Sequence, residues 1–397
     1  MSDSEMISIE MVKRLKDSPI FSMSLGSKEL FHSNFLAWLT ENYPSEMADL
    51  FTDLINQSKP SEPILPYKVE KGVRVKREER NIDLAITFDG DRRIIIENKV
   101  KSVPYPEQLD EYYEKTEKKH NAKKEYTNTY ILLTINQPTF NLDRCPSWLV
   151  LTYKELAGKL KKLKLTENPY YEALLKDYIQ LIESLDKTMD LFRFDDDLTK
   201  AFLLGEKDTA ILKDLRLYDM VAKYRASQVE ERIRRIFSDE GIEIYSGDKA
   251  HISERNLKGS LGAHHGFSRG KAFVGFNCIY SNSPKVALGI LVENNRLCWA
   301  VEMGTEDKCK GNYQKLVVDA CLWTKNSFGI QEVGKEELYS SAPDPLSDKE
   351  YRKYGGFLYD YVIINEQATL QDITKAIVKG INTAINLSEQ QPIEVLV

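Results

Sequence analysis

The chain has 397 residues, 42% hydrophobic and 29% charged, a composition that fits a folded protein and a length that fits two domains better than one. Its net charge of −6 argues against indiscriminate coating of nucleic acid, because such binding rests on Lys and Arg neutralising phosphates, and no apolar run approaches the roughly 20 residues of a membrane span. The five cysteines, Cys145, Cys278, Cys298, Cys309 and Cys321, include no Cys-x-x-Cys pair and predict reduced packing residues, with neither a disulfide framework nor a zinc site.

The first residues, Met1-Ser2-Asp3-Ser4-Glu5, are polar and acidic where a signal peptide would be basic and then apolar, so a cytoplasmic location is expected. Phe31, Phe35, Trp38, Leu39 and Asn42 recur at helical spacing, predicting a helix with Ser27 as N-cap and Pro44 as its stop. A second helix is expected over 46–56, then a connection through Pro60, Pro63 and Pro66, then strands over 67–77, 80–88 and 92–100. Past Pro104 and Pro106 a helical pattern resumes over 107–119. Residues 128–135 and 148–153 are apolar runs of strand length, as in strands covered on both faces, and helices over 154–163 and 168–186 complete an α/β layer with a mixed sheet. Aromatic residues beside an acidic run at 190–197 mark the expected boundary, giving domains 1–192 and 193–397. The second domain has the pattern of an α+β fold without internal repeats. It combines a helix over 212–238, antiparallel strands over 271–280, 286–292 and 296–303, a turn at Asn294-Asn295, a strand over 359–365 and a helix from Thr369.

The chemistry concentrates where Asn81-Ile82-Asp83-Leu84-Ala85-Ile86 precedes Ile94-Ile95-Ile96-Glu97-Asn98-Lys99. Glu97 and Lys99 are two apart on a strand and share a face. Asp83 joins them only if the hairpin pairs residues whose numbers sum to 180, which leaves the three-residue loop Asp89, Gly90 and Asp91. A two-residue loop would put Asp83 on the other face unless a bulge restored it. Two converging carboxylates repel unless a cation lies between them, and hard oxygen donors with few protein ligands suit Mg²⁺ or Mn²⁺. The backbone carbonyl of Asn98 is a third candidate ligand, and Lys99 could position or deprotonate a water and offset charge at phosphorus.

Other candidates carry ordinary readings beside functional ones. Residues 68–80 hold six basic and three acidic side chains and run into Asp83, whereas Lys154, Lys159, Lys161, Lys162 and Lys164 have the pattern of a solvated helix face. The stretch 255–271 interleaves Arg255, Lys258, Arg269 and Lys271 with glycines and Phe267, which suits either a hairpin loop or a grip on a nucleic-acid backbone. Its adjacent His264 and His265 would point oppositely on a strand and do not form a metal site. Glu29, His32 and Ser33 share one helix face, with Glu41 a weaker substitute for Glu29.

The residues Ile82-Asp83, Ile94 to Lys99, and Gln108-Leu109 with Tyr112 resemble the PD-(D/E)XK nuclease superfamily, in the subgroup whose strand motif is Glu-Asn-Lys. Glu29-Leu30-Phe31-His32-Ser33-Asn34-Phe35-Leu36-Ala37-Trp38-Leu39 is similar to that subgroup's N-terminal helix, and the likeness covers roughly the first 160 residues. The first motif departs from Pro-Asp, being Ile82-Asp83. The resemblance implies a restriction-endonuclease-like core with a mixed central sheet flanked by helices, and a metal-dependent phosphodiesterase acting on nucleic acid, DNA ahead of RNA, in defence against foreign DNA. It implies Asp83 and Glu97 as Mg²⁺ or Mn²⁺ ligands, Lys99 as the catalytic ammonium, Glu29 as a supporting helix carboxylate and Gln108 as a residue approaching from the next helix. A homo-oligomer is compatible with it, a membrane partner is not expected, and the competing reading is a catalytically silent nuclease fold that binds nucleic acid or mediates assembly.

Overall fold

A computed structural model describes residues 7–27, 29–79, 82–121, 126–165, 168–282, 285–304, 323–330, 335, 337–341, 352–354 and 357–390. The chain divides into two compact units, Met1–Arg193 with Ala210–Met220, and Phe194–Thr209 with Val221–Val397. The N-terminal stretch Met1–Glu5, Arg80, Asn81, Cys309 and Cys321 lie outside the described residues.

The first unit opens with α1 (Ile9–Asp17), α2 (Pro19–Ser27), α3 (Glu29–Asn42) and α4 (Pro44–Ser58). Ser27 is therefore the last residue of a preceding helix and not the N-cap of α3. Serines and a glycine interleaved with Ile20, Phe21, Met23 and Leu25 masked that helix in the sequence. Pro44 separates α3 from α4 by starting the latter, where its missing N–H costs nothing. β1 (Val73–Glu79), β2 (Ile82–Phe88), β3 (Arg92–Lys99), β4 (Thr127–Thr134) and β5 (Trp148–Thr152) form one sheet in that order. The first three are antiparallel, and β4 and β5 continue parallel to β3, so the sheet is mixed.

Two helical layers cover this sheet. α3 packs against β1, β2 and β3. On the opposite face α5 (Pro106–Asn121) sets Leu109, Tyr112 and Tyr113 against Ile82, Ala85, Ile95, Tyr130, Leu132 and Trp148. α6 (Tyr153–Leu160) starts directly from β5 through a capping box in which Thr152 and Glu155 satisfy each other's backbone N–H. α7 (Pro169–Phe192) packs against α6, and its Tyr178 ring stacks on Phe35 of α3 at 3.8 Å between centroids.

α8 (Glu206–Asp214) and α9 (Tyr218–Asp239) replace the single helix expected over 212–238. The second unit is built on an eight-stranded sheet ordered β11-β13-β10-β9-β8-β7-β6, with β12 also pairing β13. Its strands are β6 (Ile244–Tyr245), β7 (Leu261–Ser268), β8 (Lys271–Asn282), β9 (Lys285–Glu293), β10 (Arg296–Met303), β11 (Tyr339–Ser341), β12 (Arg352–Tyr354) and β13 (Phe357–Ile364). Among the described residues only the β6–β7 pairing is parallel, so this unit is antiparallel-rich. Asn294 turns the β9–β10 hairpin at φ 56°, and α10 (Leu370–Glu389), capped by Thr369 and Asp372, packs on β8 and β9. The stretch Leu261–Ser268 is a strand and not a loop, and Arg269-Gly270 make its turn with φ 50° and 79°. Among the described residues no helix is long and apolar enough to cross a membrane.

Candidate active site

The β2–β3 hairpin has the register that brings Asp83 beside Glu97. Leu84 pairs Ile96, Ala85 pairs Ile95 and Phe88 pairs Arg92, each pair summing to 180. The turn is Asp89-Gly90-Asp91, with φ 51° at Asp89 and 90° at Gly90, and the Asp89 side chain accepts from the Lys71 N–H at 3.1 Å. Alternation along β3 then separates two functions. Ile95 lies in the cluster under α5, so Glu97 and Lys99 continue that face, while Asn98 points to α3.

On the first face Lys99 Nζ lies 2.7 Å from Glu97 Oε1, and the two side chains are 10% and 4% exposed. The other carboxylate oxygen, Glu97 Oε2, is buried and accepts no hydrogen bond from the described residues. Asp83 Oδ2 accepts the backbone N–H of Asn98 at 2.7 Å, which draws its carboxylate across the strand pair toward Glu97. Burial pushes the Glu97 carboxyl up to about 7, with Lys99 opposing the shift and Asp83 adding to it. Asp83 is likewise raised by burial, against the Asn98 N–H and Lys99. Burial alone would lower Lys99, but the neighbouring Glu97 carboxylate outweighs it and raises the ammonium above its ordinary range.

Asn98 organises the other face. Its amide donates to the Glu29 carbonyl at 2.9 Å and Ser33 Oγ at 3.2 Å, and its Oδ1 accepts the Tyr153 hydroxyl at 2.6 Å. Ser33 in turn donates to the Glu29 carbonyl at 3.1 Å. The Asn of Glu-Asn-Lys thus ties α3 and the start of α6 to the strand that carries Glu97 and Lys99, a task invisible in the sequence because its partners lie 55 to 69 residues away. The tyrosine that ends the apolar run at 148–153 was its one local signal.

Glu29 stands at the first turn of α3, but its carboxylate is committed to the chain leaving β3. Oε1 accepts the N–H groups of Lys101 and Ser102 at 3.1 and 2.9 Å and the Ser102 hydroxyl at 2.6 Å. Its charge still reaches the site, where it helps raise Asp83 and Glu97. His32 is a core residue: 1% exposed, it faces the Tyr178 hydroxyl at 3.0 Å, and burial lowers its pKa to about 3. Gln108 sits half-buried on α5 and donates to the Tyr112 hydroxyl at 2.9 Å, a bond within its own helix. Glu41 pairs Arg77 at 2.7 Å on the surface.

Much of the basic character is internally compensated. In the first cluster Lys76 pairs Glu79, Arg77 pairs Glu41 and Lys68 approaches Glu70, while Arg93 also draws on Glu79. In the second, Lys154, Lys159 and Lys161 pair with Asp186, Asp53 and Glu183. In the second unit Arg255 is buried among the carbonyls of Ser260 and Ala250 and the Asn277 side chain, and His265 meets Glu230 at 2.9 Å. Cys145, Cys278 and Cys298 are free and buried, their thiols pushed up to about 12 by burial.

Residues 20–180 match the family model of the PD-(D/E)XK nuclease superfamily. This segment is similar to that superfamily. The match starts within α2 and ends within α7, so it takes in the whole five-stranded sheet and leaves the second unit unassigned. No curated protein and no solved structure matches the chain. Members of the superfamily generally use divalent metal ions, and the residues present fit one in a restricted way. Glu97 Oε2 is an orphaned buried acceptor beside a second carboxylate, the donor type that Mg²⁺ or Mn²⁺ takes. Among the described residues no three His, Cys, Asp or Glu side chains converge, so such an ion would take two carboxylates and complete its shell from backbone, water and substrate.

Proposed function

We propose that the first unit is a metal-dependent nuclease whose reacting centre is Asp83, Glu97 and Lys99. The observation that carries this reading is the buried, unpartnered Oε2 of Glu97 next to an ammonium and a second carboxylate. A buried carboxylate oxygen without a donor is costly in a finished fold, and a cation would relieve that cost.

Mg²⁺ or Mn²⁺, when bound, would supply Lewis acidity at the phosphodiester and at the attacking water. Asp83 and Glu97 would hold it, with the Asn98 carbonyl as a third donor. The Asn98 N–H fixes one oxygen of Asp83 and leaves the other for the ion. Lys99, held protonated by Glu97, is better suited to stabilise negative charge on the phosphate than to remove a proton from water. The Glu29 carboxylate would act through the chain it holds, by fixing the segment that leaves Lys99, and Gln108 would line the approach from α5.

DNA is proposed ahead of RNA, and defence against foreign DNA as the setting, on the resemblance of the motifs. For the second unit, Phe194–Thr209 with Val221–Val397, we propose a role in selecting substrate or mediating assembly. The test is hydrolysis of plasmid, linear and single-stranded DNA and of RNA in Mg²⁺ or Mn²⁺. Strong binding without turnover would favour the silent nucleic-acid-binding fold instead.

A further inference from the structure

The end of α8 carries a feature that the fold does not use. The Leu217 N–H returns to the Leu212 carbonyl at 2.8 Å and the Arg216 N–H to the Lys213 carbonyl at 3.0 Å, the two bonds of a Schellman motif. Such a motif puts one residue in the left-handed region, here Arg216 at φ 54°. Glycine fills that position at no steric cost, whereas a side chain with Cβ pays for it.

The Arg216 side chain returns nothing to the fold in exchange. It is exposed and forms no hydrogen bond or ion pair among the described residues. Its acidic neighbours are engaged elsewhere, Asp214 with Lys16 and Asp219 with Lys101 at 3.3 Å. The backbone beneath it is fixed. Leu215 and Leu217 are 2% and 1% exposed, and the Arg216 carbonyl accepts from Nζ of Lys101, itself 8% exposed and two residues beyond Lys99. Glu29 holds the N–H groups of Lys101 and Ser102. A strained turn between α8 and α9, anchored through its carbonyl to Lys101 of the segment that leaves β3, therefore presents a guanidinium without a partner among the described residues.

We propose that Arg216 binds a backbone phosphate of the nucleic-acid substrate, flanking the one that is cleaved, with Lys101 and Asp219 as positioning residues for its turn. Guanidinium suits this role because its planar fork matches phosphate oxygens. The inference rests on the nuclease reading and adds a substrate contact from Ala210–Met220, a segment of the first unit outside residues 20–180.

The test uses the full chain in EDTA, so that binding is read without cleavage, with fluorescence anisotropy of labelled duplex DNA, single-stranded DNA and RNA across a KCl series. Wild type, Arg216→Gly and Arg216→Lys are compared, with thermal unfolding of each. Arg216→Gly is expected to weaken binding about fivefold to tenfold near physiological salt and to flatten the log–log salt slope by about 0.9, as loss of one phosphate contact requires. Its unfolding midpoint should be unchanged or higher, since glycine relieves the backbone, and Arg216→Lys should keep the slope. A glycine variant that binds like wild type overturns the assignment and leaves the nuclease reading standing. A glycine variant that melts lower assigns Arg216 to the fold and also overturns it. Wild type that binds none of the three nucleic acids overturns both.

Discussion

The Glu97 carboxyl, raised from 4.5 to about 7, makes metal affinity depend on pH in a way that can be worked out beforehand. A proton and a cation compete for the same carboxylate, so apparent affinity scales with the ionised fraction of Glu97. At pH 6 that fraction is about one in eleven and at pH 8 about ten in eleven, so Mn²⁺ should bind about tenfold more tightly at pH 8, about 1.4 kcal/mol. The same shift acts on stability without metal. A carboxyl whose folded pKa is raised binds its proton more tightly in the fold, so its contribution is fully present below pH 4.5 and is lost as pH rises through 7, about 3 kcal/mol over the window. Glu97→Gln removes both effects: its unfolding free energy should lack that decline, and its Mn²⁺ affinity should be weak and flat with pH. The assays are isothermal titration with Mn²⁺ and urea unfolding in EDTA, each at pH 6 and pH 8. Equal Mn²⁺ affinity at the two pH values in wild type would refute the reasoning.

Asn98→Ala should destabilise the first unit by about 2–4 kcal/mol in urea unfolding, because it strands the Tyr153 hydroxyl and Ser33 in a buried network. His32 runs the opposite way from Glu97. Its folded pKa is lowered to about 3, so its contribution is complete above pH 6.5 and is lost as pH falls toward 3; His32→Phe should flatten the acid limb of the stability profile by up to about 1.4 kcal/mol per pH unit in that window. In the second unit a Cβ at Gly380 would meet Phe328 Cε1 at 2.5 Å, so Gly380→Ala should lower the thermal midpoint despite alanine's better helix propensity, by overpacking worth about 1–3 kcal/mol.

What could be read from the sequence follows the range of the interactions involved. β3 to β5 announce themselves as continuous apolar runs, and the β2–β3 register follows from a turn and one apolar alternation, all local. Those signals placed Glu97 and Lys99 on one face but left Asp83 to the choice between a two- and a three-residue loop, which the observed register decides. β7 escaped because glycines and histidines interrupt its pattern, and its order comes from β8 and from the His265 contact with Glu230, 35 residues distant. α8 and α9 looked continuous because Arg216, not glycine, occupies the left-handed turn between them. Residues 67–72 were expected to begin β1, but Tyr67 is held before it, its N–H on Thr52 Oγ1 and its ring under Arg92. Glu29 and Asn98 were both visible as candidates. The bonds that give each its place, to the Lys101–Ser102 backbone and to Tyr153, are tertiary and leave no local mark.

The most direct test of the central claim is cleavage of labelled DNA by wild type, Asp83→Asn and Lys99→Met, with Mn²⁺ binding measured in parallel at alkaline pH. Wild type should cut in Mg²⁺ or Mn²⁺ and not in EDTA, and Lys99→Met should lose about 10²–10³-fold in rate while still binding Mn²⁺. Asp83→Asn should lose both. Cleavage that survives in both variants, or a wild type that neither binds Mn²⁺ nor cuts, would contradict the assignment of Asp83, Glu97 and Lys99 as the reacting centre.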